Sequence, residues 1–173
     1  GILSYVDGPH TLSLVLGGAL DRNARATFST PPVQNNSTIF NVIYSYAGEK
    51  WLVQPYFQYA RVGDLPFLGT TRADNWGVGL LAKYKIDDNW SLPVRAEYID
   101  SKAPRATAAS FLYGPGSNAF SLTVTPTYTW SRFFIRPELS YVSVSGITPG
   151  SAFGAAGMDK SQVRGRLEFG VVF

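Results

Sequence analysis

The chain has 173 residues, enough for one domain, with a net charge of +3, 14% aromatic residues and 16% charged residues. So small a positive excess, with no Lys/Arg cluster, excludes a nucleic-acid partner, and no apolar run reaches the ~18 residues that a membrane helix needs. Cysteine is absent, which removes disulfide and thiolate chemistry and suits a secreted or envelope protein.

Helical periodicity is lacking, and 17 Gly and 11 Pro punctuate the chain at short intervals. Nine strand-like segments are expected in order: Ile2–Asp7, Thr11–Leu20, Thr38–Gly48, Trp51–Val62, Asn75–Ile86, Asn89–Asp100, Asn118–Trp130, Arg132–Ser143 and Gln162–Phe173. The connections alternate strictly. Gly8-Pro9-His10, Glu49-Lys50, Asp87-Asp88 and Ser131 are short, whereas Asp21–Ser37, Gly63–Asp74, Ser101–Ser117 and Val144–Ser161 are long. A β-sandwich has no reason to alternate its loops so regularly; a transmembrane barrel does, with short turns on one side and long loops on the other.

Successive side chains of a strand point to opposite faces. In Trp51–Val62 one face reads Trp51, Val53, Pro55, Phe57, Tyr59, against Leu52, Gln54, Tyr56, Gln58, Ala60. In Asn118–Trp130, Phe120, Leu122, Val124, Tyr128 and Trp130 oppose a row of Ser121, Thr123, Thr125, Thr127 and Thr129. In the last segment Val163, Leu167, Phe169, Val171 and Phe173 oppose Arg164, Arg166 and Glu168. A soluble sheet could share this alternation, but the aromatic spacing discriminates. Trp51 and Tyr59, Trp76 and Tyr84, Trp90 and Tyr98, Phe120 and Tyr128, and Phe133 and Tyr141 each lie eight apart on one face. Eight tilted strand residues cover about 20 Å, close to the ~25 Å apolar band between the aromatic girdles of a membrane barrel. Trp51, Trp90, Trp130 and their neighbours are expected at one girdle, and Tyr59, Tyr98 and Tyr141 at the other. The fold expected is therefore all-β: a transmembrane antiparallel up-and-down β-barrel. Pro55, Pro93, Pro126 and Pro137 fall inside strands, so local bulges or displaced strand ends are expected there.

Gly1 opens the chain in place of Met, so a processed or truncated product is expected. An even strand count with both termini on the periplasmic side would make Ile2–Asp7 descend from outside. Residues 1–173 are then expected to form one barrel domain of eight to nine strands, the C-terminal part of a larger barrel; the alternative is an eight-stranded barrel from Thr11 onward, with residues 1–10 as an irregular lead.

The polar face carries Lys83, Lys85, Arg95, Arg136, Arg164 and Arg166 with Glu97, Glu138 and Glu168. Three strands repeat Arg-x-Glu, at Arg95–Glu97, Arg136–Glu138 and Arg166–Glu168, and same-face spacing places each pair side by side. A charge inside a membrane span is costly unless it meets water or a partner. These residues are expected to line a pore as interlocking pairs, with an excess of three cations that implies a weak anion preference. Catalytic and metal constellations are poor: His10 is the single histidine and is expected as a solvated turn residue. No enzyme, metal or cofactor is expected.

The end of the chain resembles the C-terminal signature of bacterial outer-membrane barrels, where a terminal Phe preceded by alternate apolar residues is read by the barrel-assembly machinery. Arg95-Ala-Glu97-Tyr98, Arg136-Pro-Glu138-Leu139-Ser140-Tyr141 and Arg166-Leu-Glu168-Phe169 resemble strands of the OmpL-like β-barrel porins, over roughly the C-terminal half. The resemblance implies a bacterial (Gram-negative) outer-membrane pore with periplasmic termini, held in outer-membrane lipid, for passive diffusion of small hydrophilic solutes or ions. The alternative is a non-conducting barrel serving as anchor, adhesin or scaffold for an envelope partner. A homo-oligomer is compatible with either.

Overall fold

A computed structural model describes residues 1–18, 32–103 and 107–171. Ten strands follow one another: β1 (Ile2–Asp7), β2 (His10–Gly18), β3 (Ser37–Ala47), β4 (Trp51–Val62), β5 (Ala73–Lys85), β6 (Trp90–Lys102), β7 (Asn118–Val124), β8 (Thr127–Trp130), β9 (Phe133–Ser145) and β10 (Ser161–Val171). A helical turn, α1 (Pro32–Asn35), precedes β3, and a 3₁₀ turn spans Pro66–Leu68. All strands join one antiparallel sheet in chain order, with β8 continuing the place of β7 between β6 and β9. This is an up-and-down arrangement. Short and long connections alternate through the described residues as the sequence predicts. Leu20, Val172 and Phe173, ends of two expected strands, lie outside the described residues.

Turn chemistry explains the short connections. Gly8, at φ 53°, takes the first central position between β1 and β2 and Pro9 the second, a two-residue hairpin suited to the strand twist. Between β5 and β6, Asp87 accepts the backbone N–H groups of Asn89 and Trp90, both at 2.8 Å, and Asn89 donates to the Thr129 carbonyl at 2.8 Å.

Of the bulges or displaced strand ends expected at the prolines, Pro126 gives a strand end, and the register steps across Pro55 and Pro126 without an inserted residue. The β3–β4 ladder keeps one register on both sides of Pro55, from Ile43↔Tyr56 to Tyr46↔Val53, and simply lacks its rungs between them. Proline has no N–H to donate, so a rung is lost without an inserted residue. At Pro126 the predicted single strand divides into β7 and β8, yet Val94↔Val124 and Ser91↔Thr127 share one register. Thr125 still donates its N–H to the Pro93 carbonyl at 3.0 Å. Pro93 and Pro137 stay within β6 and β9.

The two faces are inverted relative to a water-soluble sheet. On β2, Thr11, Ser13, Val15 and Gly17 are half-buried while Leu12, Leu14 and Leu16 are exposed. The same holds on strands β5 to β9: Leu80, Leu122 and Leu139 are exposed, whereas Asn75, Ser101, Thr123 and Ser140 on the opposite face are buried. Contiguous apolar surface on this scale needs a lipid or protein cover. We call the apolar face outer and the polar face inner. The fully buried apolar residues lie elsewhere, at the long-loop end. Val62 and Ala73, inner-face residues at the ends of β4 and β5, pack with Leu65, Ala108 and Ala109 from the adjoining connections. Thr71 clips these connections together, donating to the Thr107 carbonyl and accepting from Ala109 N–H, both at 3.1 Å.

Candidate functional site

The outer face carries two rows of aromatic rings built by strand register. At the short-turn end Trp51 lies opposite Tyr84 with ring centroids 4.5 Å apart. Trp90 lies opposite Tyr128 at 4.9 Å, and Trp130 stacks on Phe133 at 6.4 Å across their turn. At the long-loop end Tyr59 is opposite Trp76, Trp76 packs on Tyr98 at 5.6 Å, and Tyr98 is opposite Phe120. Tyr141, opposite Leu122, continues that row, and Phe173 lies outside the described residues. Polar tips are satisfied at the outer limit of this row. The Tyr59 hydroxyl donates to Asp74 at 2.6 Å and the Trp76 indole to Asp100 at 3.0 Å. An amphipathic ring with an apolar body and a bonded polar tip suits a membrane–water boundary.

The sequence reading missed part of the first row. His10, expected as a solvated turn residue, opens β2; its Nδ1 is 2.6 Å from the Tyr44 hydroxyl, and its ring lies 5.3 Å from that of Tyr46. It remains exposed. The signal was present in the even-numbered face of β3, where Tyr44 and Tyr46 follow Phe40 and Val42.

On the inner face, Arg95 and Glu97 lie side by side as their spacing predicts, with Nε 3.2 Å from Oε2. Glu97 also accepts from the Ser121 hydroxyl at 3.2 Å and from the Tyr56 hydroxyl. Tyr56, Gly79, Glu97 and Ser121 stand in one register line across β4, β5, β6 and β7. Glycine is required in that line: a Cβ at Gly79 would meet the Tyr56 ring, which crosses it to reach Glu97. Sequence spacing gave no hint of this contact, because its partners are 41 residues apart.

Arg136 does not pair with Glu138 along its own strand. It reaches across to Glu168 on β10, with Nε and Nη2 each 2.8 Å from Oε2. Cross-strand neighbours with near-opposite Cβ atoms compete with the i, i+2 position, and the register sets Arg136 against Glu168 and Glu138 against Arg166. The side-by-side arrangement expected for Arg136–Glu138 is thus replaced by a cross-strand one. Lys85, at the end of β5, bonds Asp88 in the turn at 2.7 Å, which holds the Asp88 carboxyl below its ordinary pKa. Lys83, Arg164 and Arg166 make no ion pair among the described residues.

Together these strands form an inside-out sheet: an apolar outer face between aromatic rows, and an inner face that carries hydroxyls, amides and partly paired charges. No curated protein matches the chain. The model of the family Putative beta-barrel porin-2, OmpL-like, matches residues 3–173, so the likeness first drawn from the C-terminal half extends over nearly all of it. The chain belongs to the OmpL-like β-barrel porin family.

Proposed function

We propose that the protein is an outer-membrane channel through which small hydrophilic solutes or ions diffuse passively, with its short turns toward the periplasm. The observation that carries this reading is the inverted sheet. Charged groups such as Arg95 and Arg136, about half exposed, lie on the inner face in the middle of strands whose outer face is apolar. Charges at that depth need water or a partner, and Lys83, Arg164 and Arg166 have no ion-pair partner among the described residues; water beside them along the strands is a conducting path. Lipid covers the outer face between the Trp51 and Tyr59 rows, with no chemical step assigned to any side chain.

Single-channel recording of the protein in a planar bilayer tests the proposal. Stepwise openings are the expected result. A silent bilayer containing folded, inserted protein would overturn it in favour of a non-conducting anchor or scaffold.

A further inference from the structure

The inner-face charges are unevenly distributed. The inner faces of β1 to β4 carry none: their residues include Ser4, Ser13, Asn41, Gln54 and Gln58. Every inner-face charge is on β5, β6, β9 or β10. Pairing within this half is incomplete. Arg95 is matched by Glu97, Arg136 by Glu168, and Lys85 by Asp88 outside the wall. Among the described residues this leaves Lys83, Arg164 and Arg166 against Glu138, so the six cations first counted on the wall keep an unmatched excess of two.

The same half contains a dent. Where the strand divides between β7 and β8, the sheet loses rungs beside Pro93 and Pro126. A cavity of about 620 Å³ opens there between Thr125 and Thr127 on one side and Arg136, Glu138, Arg166 and Glu168 on the other. A second hollow of about 280 Å³, reached by Lys83, Arg95 and Thr123, adjoins it through Thr125 and Glu138. The larger volume lies within the range of small-ligand clefts. The donors suit an oxyanion: the Thr125 hydroxyl can donate, whereas that of Thr127 is given to the Thr125 carbonyl at 3.1 Å, and the Arg166 guanidinium offers a planar fork that no described carboxylate occupies.

From this combination we infer that the dent over Thr125–Thr127 is a resting site for small oxyanions, carboxylate or phosphate, and that it makes the pore anion-preferring. The inference rests on the channel reading above and gives its solute class. Arg166 attracts the anion, Lys83 and Arg164 extend the positive path along the wall, and Glu138 opposes them. The clamped Arg136–Glu168 pair fixes the far side of the site without adding net charge.

The test is the reversal potential of the protein in a planar bilayer under a KCl gradient, followed by block of the chloride current with inorganic phosphate. Wild type is expected to favour chloride and to be blocked by phosphate. Arg166→Gln should weaken both by about fivefold, the equivalent of ~1 kcal/mol for one water-screened charge at 1.36 kcal/mol per decade. Glu138→Gln should shift both in the opposite direction, which a folding defect would not do. Cation preference in the wild type, or equal shifts in the two variants, would overturn the inference and leave the channel standing. Absence of any conductance would remove both.

Discussion

The Tyr56 hydroxyl donates to Glu97 across the bare Cα of Gly79. The contact joins β4 to β6 over the intervening strand, and Arg95 and Ser121 hold the same carboxylate from two other directions. An aromatic ring lying on a strand glycine covers exposed backbone and fixes register at the same time. Phe134 and Gly170 repeat the device between β9 and β10, where a Cβ at Gly170 would approach Phe134 Cε1 to 2.6 Å.

Gly79→Ala is therefore expected to destabilise the folded barrel by about 1–3 kcal/mol, because the ring must leave and Glu97 loses a donor. Tyr56→Phe alone should cost about 1 kcal/mol. In the Gly79→Ala background the same change should cost almost nothing, since the contact is already broken. Urea unfolding in lipid vesicles measures all three; full additivity would refute the clamp.

The choice of Arg136 for Glu168 gives a second expectation. A double-mutant cycle between Arg136→Gln and Glu168→Gln should yield a coupling of about 0.5 kcal/mol, modest because both side chains are roughly half exposed. The cycle between Arg136→Gln and Glu138→Gln should yield a smaller one. A larger coupling to Glu138 would restore the i, i+2 pairing.

Ser131 turns the chain between β8 and β9 with φ 54°, a region in which side-chain-bearing residues are strained. Ser131→Gly should stabilise the hairpin by about 0.5–1 kcal/mol, after the entropy of glycine is set against the relieved strain. A rise in the thermal unfolding midpoint in detergent is the readout.

Leu65 is fully buried among Val62, Ala73, Ala108 and Ala109. Leu65→Ala should cost about 2–4 kcal/mol of local stability. The loss should appear as faster hydrogen exchange of the Thr71 and Ala109 amides, whose bonds clip the loops together, while the amides of the β9–β10 ladder stay protected. Uniform acceleration over both regions would show that the loop cluster and the sheet open as one unit.

At the short-turn end, the hydrogen bond and charge of Lys85 lower the Asp88 pKa. A carboxyl whose folded pKa is depressed contributes stability above its unfolded pKa and loses it as pH falls through the folded value. The Asp88 side-chain carbon followed by NMR should thus titrate below the ordinary carboxylate range. Lys85→Gln should return it upward; an unchanged midpoint would dissolve the pair.

The sequence by itself determined the strands and their faces. Period-two alternation specifies which side chains share a face, and a one-residue slip would turn Leu12, Leu80 and Leu122 inward, so the register of a half-apolar strand is set locally. The eight-residue interval from Trp51 to Tyr59, or Trp76 to Tyr84, likewise survives folding, because both residues ride one strand at fixed rise. Tertiary structure decided what depends on neighbours. Register brought Glu168 rather than Glu138 to Arg136, and it laid Tyr56 over Gly79. The packing of Leu65 against Ala108 joins residues from separate connections, where no periodicity exists to be read. Local geometry repeats along a strand and can be counted; contacts across strands and between loops follow from where the whole chain has placed them.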